Sequence, residues 1–85
     1  MQKDTRPTIL ITNDDGYQAQ GIRFLANIMK TLGNCIIVAP DSARSGAACC
    51  ITPTQPVSVK KIEDGIYACS GTPVDCVKIA LEKVL

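Results

Sequence analysis

Two short apolar runs separated by a stretch of helical spacing constrain this chain more than any other feature. Ile9-Leu10-Ile11 is apolar without alternation, the pattern of a strand covered on both faces in a parallel sheet. Ile22, Leu25, Ala26, Met29 and Leu32 then recur at helical intervals as one core-facing stripe, which predicts a helix from Gln20 to Leu32 with Gly33 as its C′ stop. Cys35-Ile36-Ile37-Val38-Ala39 is the second buried run, and Pro40 ends it. Strand, helix and strand make a βαβ unit with parallel strands and a right-handed crossover. The residues after Ile11 and those after Pro40 therefore share the carboxyl edge of the sheet, where open α/β sheets bind ligands.

The remainder extends this unit. Residues 41–52 show no periodicity and read as a loop. Val57-Ser58-Val59 alternates, Glu63-Asp64-Gly65 turns, and Ile66-Tyr67-Ala68-Cys69 returns. This is a β-hairpin with one wet face, an antiparallel addition to a mixed sheet. Lys60 and Lys61 fit its solvated edge. Thr72 as N-cap, Pro73 at N1 and Asp75 at N3 form an acidic capping box that opens a second helix, with Val77, Ala80, Leu81 and Val84 as its stripe. A crossover helix leads to a further parallel strand, so residues 1–85 read as the N-terminal part of a single, larger α/β domain.

Composition narrows the function classes. Eighty-five residues suffice for one small domain that buries only about 60–65% of its unfolded surface. Nine basic and eight acidic residues are spread along the chain for a net charge of +1. This leaves no stripe for a nucleic-acid polymer and no polybasic membrane patch. No run approaches the ~18 apolar residues of a membrane span, and the N-terminus lacks the apolar core of an export signal. Five cysteines, an odd number without a Cys-x-x-Cys pair, argue against a disulfide framework or a zinc site. Reduced thiols, several packed as small hydrophobes, and a cytoplasmic location are expected. The absence of histidine excludes Ser-His and Cys-His pairs within the segment. Chemistry here rests on carboxylates, hydroxyls, Lys or Arg, backbone amides and metal.

Asp14 and Asp15 stand where the first strand stops. Adjacent like charges repel unless a cation or solvent offsets them, and Mg²⁺ is often held by one or two carboxylates plus waters and substrate phosphate. Asn-Asp-Asp-Gly is also good turn chemistry, and an Asp at a helix start also caps it, so the residues alone leave both readings open. Three segments are expected at this edge: Asn13 to Gly16 with the carboxylates, Arg44-Ser45-Gly46 with a cation and a hydroxyl, and Ser70-Gly71-Thr72. The last offers exposed amides at a helix N-terminus for a phosphate. Taken singly, the second also reads as a solvated loop and the third as a structural cap.

In order along the chain, Thr12-Asn13-Asp14-Asp15-Gly16, Gly21-Ile22, Val38-Ala39-Pro40-Asp41, Arg44-Ser45-Gly46, Ile51-Thr52, Ser70-Gly71-Thr72-Pro73 and Asp75-Cys76-Val77 resemble the SurE family of survival-protein nucleotidases. The resemblance implies a Rossmann-like, three-layer α/β/α fold with a mostly parallel sheet, here an N-terminal fragment that includes the hairpin. It implies a metal-dependent phosphomonoesterase that hydrolyses nucleoside 5′- or 3′-monophosphates, with short polyphosphate as a further substrate. Mg²⁺ or Mn²⁺ is the implied cofactor, and a homodimer or homotetramer the implied assembly of the full-length protein. On the matching positions, Asp14, Asp15 and Ser45 are metal ligands. Asn13, Arg44, Gly46, Ser70, Gly71 and Thr72 line the substrate phosphate, and Asp75 is either a cap or a functional acid. Asp14 or Asp15 as general base or nucleophile stays open. The family's remaining ligand, an Asn in a later Gly- and Asn-rich loop, is not within these residues, and the Cys49-Cys50 pair departs from the family's usual polar residues. Two other classes compete. A Mg²⁺-binding receiver module needs a phosphoacceptor Asp after a third core strand, where this sequence has Val57 and Ser58. A metal- or nucleotide-binding fragment without turnover is the other.

Overall fold

The computed structural model describes residues 6–43 and 57–85. The elements are β1 (Thr8–Ile11), α1 (Gln20–Met29), β2 (Asn34–Pro40), β3 (Val59–Glu63), β4 (Ile66–Cys69) and α2 (Pro73–Ile79), closed by a π-helical turn over Ala80–Val84. The strands form one sheet in the order β1-β2-β4-β3. β1 runs parallel to β2 with Ile9 opposite Cys35, and β2 runs parallel to β4 with Val38 opposite Tyr67. β3 alone is antiparallel, paired with β4 and shifted in register between Lys61 and Glu63.

The period of two along each strand separates two cores. Ile9, Ile11, Cys35, Ile37, Ala39 and Ile66 turn to one face and meet Ile22, Ala26 and Met29 of α1. Leu10, Ile36, Val38, Tyr67 and Cys69 turn to the other and meet Cys76, Ile79 and Ala80. Helices on opposite faces of a mostly parallel sheet make the expected α/β/α layering. The hairpin adds one inner parallel strand and one outer antiparallel strand. β3 begins at Val59 rather than Val57, and Lys60 and Lys61 are exposed on that outer strand, a charged edge that discourages pairing with another chain.

Two helix expectations are corrected. α1 ends at Met29, not Leu32, because the amides of Leu32 and Gly33 both turn back to the Met29 carbonyl (2.9 and 3.2 Å) so that Asn34 reaches the Pro7 carbonyl at 2.8 Å and starts β2. The Arg6 guanidinium donates to the carbonyls of Lys30 and Gly33, satisfying acceptors that a helix end leaves over. Gly33 is no left-handed stop, since among the described residues only Gly16 and Gly65 have positive φ. Its role is steric: a Cβ there would overlap the Pro7 carbonyl oxygen. The stripes are also narrower than their apolar residues suggest. Leu25 and Leu32 are 45% and 61% exposed, and Val77 and Leu81 are 36% and 64% exposed, because the packed rows run through Ile22-Ala26-Met29 and Cys76-Ala80.

Candidate functional site

The carboxylate loop is built by Asn13 and Gly16. The Asn13 side chain accepts from the Gly16 amide at 3.1 Å and donates to the Gly16 carbonyl at 2.9 Å. This closes residues 13–16 into a tight turn with Asp14 and Asp15 at its tip. Gly16 has φ +105°, a conformation that side chains resist. A Cβ on it would sit at ordinary contact distance, 3.4–3.5 Å, from the backbone of Pro40 and Ser42, so the constraint there is conformational. The next amide, Tyr17, donates to the Pro40 carbonyl at 2.9 Å, so the turn is docked on the end of β2. Asp14 is half-buried and Asp15 exposed. Among the described residues neither carboxylate has a hydrogen-bond or ion-pair partner. Two adjacent, unpaired oxygen donors on a rigid turn fit a hard divalent cation. No group of three acidic, Cys or His residues that could hold a metal ion occurs among the described residues. Arg44, Ser45 and Gly46 lie outside the described residues.

The third expected segment arrives at the same edge but is differently employed. The Asp41 amide donates to the Cys69 carbonyl at 2.8 Å, aligning the ends of β2 and β4. Ser70 accepts from the Ser58 amide through its hydroxyl at 2.9 Å, and its own amide donates to the Ser58 carbonyl at 2.9 Å. The Gly71 amide donates to Cys69 Sγ at 3.4 Å. The Thr72 amide donates to Asp75 Oδ2 at 2.9 Å, and the Asp75 amide returns to Thr72 Oγ1 at 3.3 Å. The expected exposed amides at 70–72 are therefore satisfied internally, and Gly71 and Thr72 are buried. Pro73 has no N–H to satisfy, and the Val74 amide has no backbone acceptor outside the helix among the described residues. The capping box is present in full, and the carboxylate of Asp75 serves it.

Contacts that no sequence pattern announces sit behind this edge. Thr12 Oγ1 is buried without a hydrogen-bond partner of normal geometry, beside the Cys76 thiol of α2. Cys69 and Cys76 are both 0% exposed and belong to the same buried cluster as Val38 and Ala80. The bond to Cys69 and burial push the Cys76 thiol well above the ordinary thiol range. Cys69, which receives the Cys76 thiol and the Gly71 amide, is held down to about 7. At the opposite, amino-terminal end of the strands a cavity of about 220 Å³ opens between α1 and the hairpin, with Arg23, Lys30, Glu63 and Cys35 in its walls. It contains none of the expected site residues.

A mostly parallel α/β sheet with helices on both faces and an acidic pair at its carboxyl edge defines a Rossmann-like α/β protein. Within that class the chain belongs to the family described as Survival protein SurE, whose model matches residues 9–85. It is 55% identical over 80 residues to 5′-nucleotidase SurE of Porphyromonas gingivalis, covering 89% of this chain and 31% of that protein. It is 42% identical over 87 residues to 5′-nucleotidase SurE of Bacteroides fragilis, covering 98% and 34%. The crystal structure of the SurE protein from Aquifex aeolicus superposes with a TM-score of 0.85 at 40% identity, over 92% of this chain and 32% of that one. The chain thus spans about a third of the length of the relatives it matches. Among the described residues no helix is long and apolar enough to cross a membrane.

Proposed function

We propose that this chain provides the metal- and phosphate-handling edge of a nucleotidase that hydrolyses nucleoside 5′- or 3′-monophosphates to nucleoside and phosphate, and short polyphosphate besides. The observation that carries the reading is the unpaired Asp14-Asp15 couple, held at the carboxyl edge by the Asn13–Gly16 turn and docked on β2. Two relatives that match most of this chain are named 5′-nucleotidases. Asp14, Asp15 and the Ser45 hydroxyl would hold Mg²⁺ or Mn²⁺. When bound, such a cation polarises a phosphoryl oxygen and lowers the pKa of a water. Asn13 keeps both carboxylates at one vertex and limits the reorganisation that binding costs. Arg44 would supply a positive charge to the phosphate, and Gly46 would let the backbone approach it. Ser70, Gly71 and Thr72 shape the far wall, their amides engaged inside the protein. Asp14 or Asp15 also has the chemistry to take a proton from the attacking water. The working assembly is a homodimer or homotetramer of the full-length protein in the cytoplasm, with the donor set completed by residues outside 1–85.

Calorimetric titration of the full-length protein with Mn²⁺, followed by phosphate release from a nucleoside monophosphate, tests this reading. Metal-dependent release that Asp14→Asn abolishes, with the circular dichroism spectrum unchanged, supports it. Release that persists at wild-type rate in the variant removes Asp14 from the site, and nucleotide binding without release reduces the chain to a binding module.

A further inference from the structure

Cys69 ends β4 and Cys76 lies in the first turns of α2, so the two buried thiols flank the Ser70-Gly71-Thr72 loop and the capping box. Nothing in the proposed hydrolysis uses either sulfur. We propose that Cys69 and Cys76 form an intramolecular disulfide under hydroperoxide, a reversible modification that displaces the loop and switches the site off. Only the effect on turnover rests on the nucleotidase reading.

Burial selects both the oxidant and the product. With both residues 0% exposed, a bulky thiol or disulfide reaches either sulfur far more slowly than a peroxide of nearly water size, and both enter only when the seven-residue α2 opens. Cys69 is the attacking group, because the Gly71 amide at 3.4 Å and the Cys76 thiol stabilise its thiolate. The Cys69 thiolate attacks one peroxide oxygen, the O–O bond breaks, and hydroxide leaves to take up the proton Cys69 gave, forming water. The resulting sulfenic acid is attacked by the Cys76 sulfur, whose proton goes to the departing hydroxyl. Two thiols and one peroxide thus yield one disulfide and two waters.

The consequence for the loop follows from bond length. A disulfide of ~2.05 Å is far shorter than any non-bonded sulfur contact, so one partner must move. β4 is paired on both sides, with β2 and with β3, and yields least. The first turn of α2 is drawn in instead, which disturbs the Thr72–Asp75 bonds and costs Cys69 its role as acceptor for Gly71. A displacement of about 1 Å at a reacting site is worth up to a hundredfold in rate.

Trypsin separates the thiols: Cys35 falls in Thr31–Arg44, Cys49 and Cys50 in Ser45–Lys60, and Cys69 with Cys76 in Ile62–Lys78. The full-length protein, treated with hydrogen peroxide, denatured in alkylating reagent and digested, should yield peptide Ile62–Lys78 lighter by two hydrogens and unalkylated. Dithiothreitol should restore its two alkylation sites. Nucleoside monophosphate hydrolysis should fall roughly tenfold or more as this peptide oxidises and return with reduction. In Cys69→Ala the peptide should carry one alkylated thiol, and peroxide should leave the rate unchanged. Two free thiols in Ile62–Lys78 after Cys35 has fully oxidised would overturn the proposal, as would a quantitative disulfide with undiminished hydrolysis. Absence of hydrolysis before oxidation would count against the nucleotidase reading alone, since the mass of the peptide still decides whether the disulfide forms.

Discussion

Asp75 permits the sharpest prediction. Its carboxylate is 4% exposed and accepts from the Thr72 amide at 2.9 Å and the Thr72 hydroxyl at 3.1 Å. Asp75→Ala leaves the buried Thr72 amide without its acceptor, which is the half of the capping box that Asp75 supplies, while Thr72 still caps the residue 75 amide. A loss of about 1–3 kcal/mol follows. Asp75→Asn retains one carbonyl oxygen for the Thr72 amide and loses only the charge assistance, about 1 kcal/mol. Urea unfolding followed by circular dichroism reads both. At an m-value of about 1 kcal/mol/M, 2 kcal/mol lowers the midpoint by about 2 M. Gly71 supplies an internal check, because a Cβ there would strike both the Asp75 carboxylate and the Asp75 Cβ. Asp75→Ala removes the first of these and keeps the second, so Gly71→Ala should remain costly in that background but cost less than in the wild type, a coupling on the order of 1 kcal/mol. An Asp75→Ala midpoint within about 0.5 M of wild type, equal losses for Ala and Asn, or strictly additive effects with Gly71→Ala would refute the reasoning.

Gly16→Ala forces a side chain into φ +105°, so it should cost about 1–3 kcal/mol and weaken Mn²⁺ binding in calorimetry. Asn13→Ala removes both clamps on Gly16. It should lower metal affinity with the thermal midpoint falling by no more than a few degrees, the shift that about 1 kcal/mol produces in a small domain. Arg6→Ala frees the carbonyls of Lys30 and Gly33, and faster amide exchange confined to residues 30–34 would verify that loss.

How much of the site was legible in the sequence depends on the kind of interaction. Asn13, Asp14, Asp15 and Gly16 are consecutive, so their turn follows from local chemistry and a reader of the residues finds it. The capping box at Thr72 and Asp75 is likewise local and was visible. The engagement of the Ser70, Gly71 and Thr72 amides was not. Ser58, Cys69 and Asp75 take them up, and for Ser58 that requires knowing that β3 lies beside β4. Thr12 beside Cys76, and Cys76 beside Cys69, are contacts across the sheet edge that no spacing encodes.

Neighbouring residues set the local grammar of this chain: two apolar strands around an amphipathic helix, a hairpin turn at Asp64-Gly65, a capped second helix, and an acidic pair at a strand end. Each depends on backbone preferences and periodicities that act within a few residues. Tertiary structure alone decided where α1 stops, which apolar residues are covered, and which polar groups near the carboxylates remain available. Those outcomes depend on what lies across the sheet, and burial and hydrogen bonding between distant residues override local propensity when the two compete.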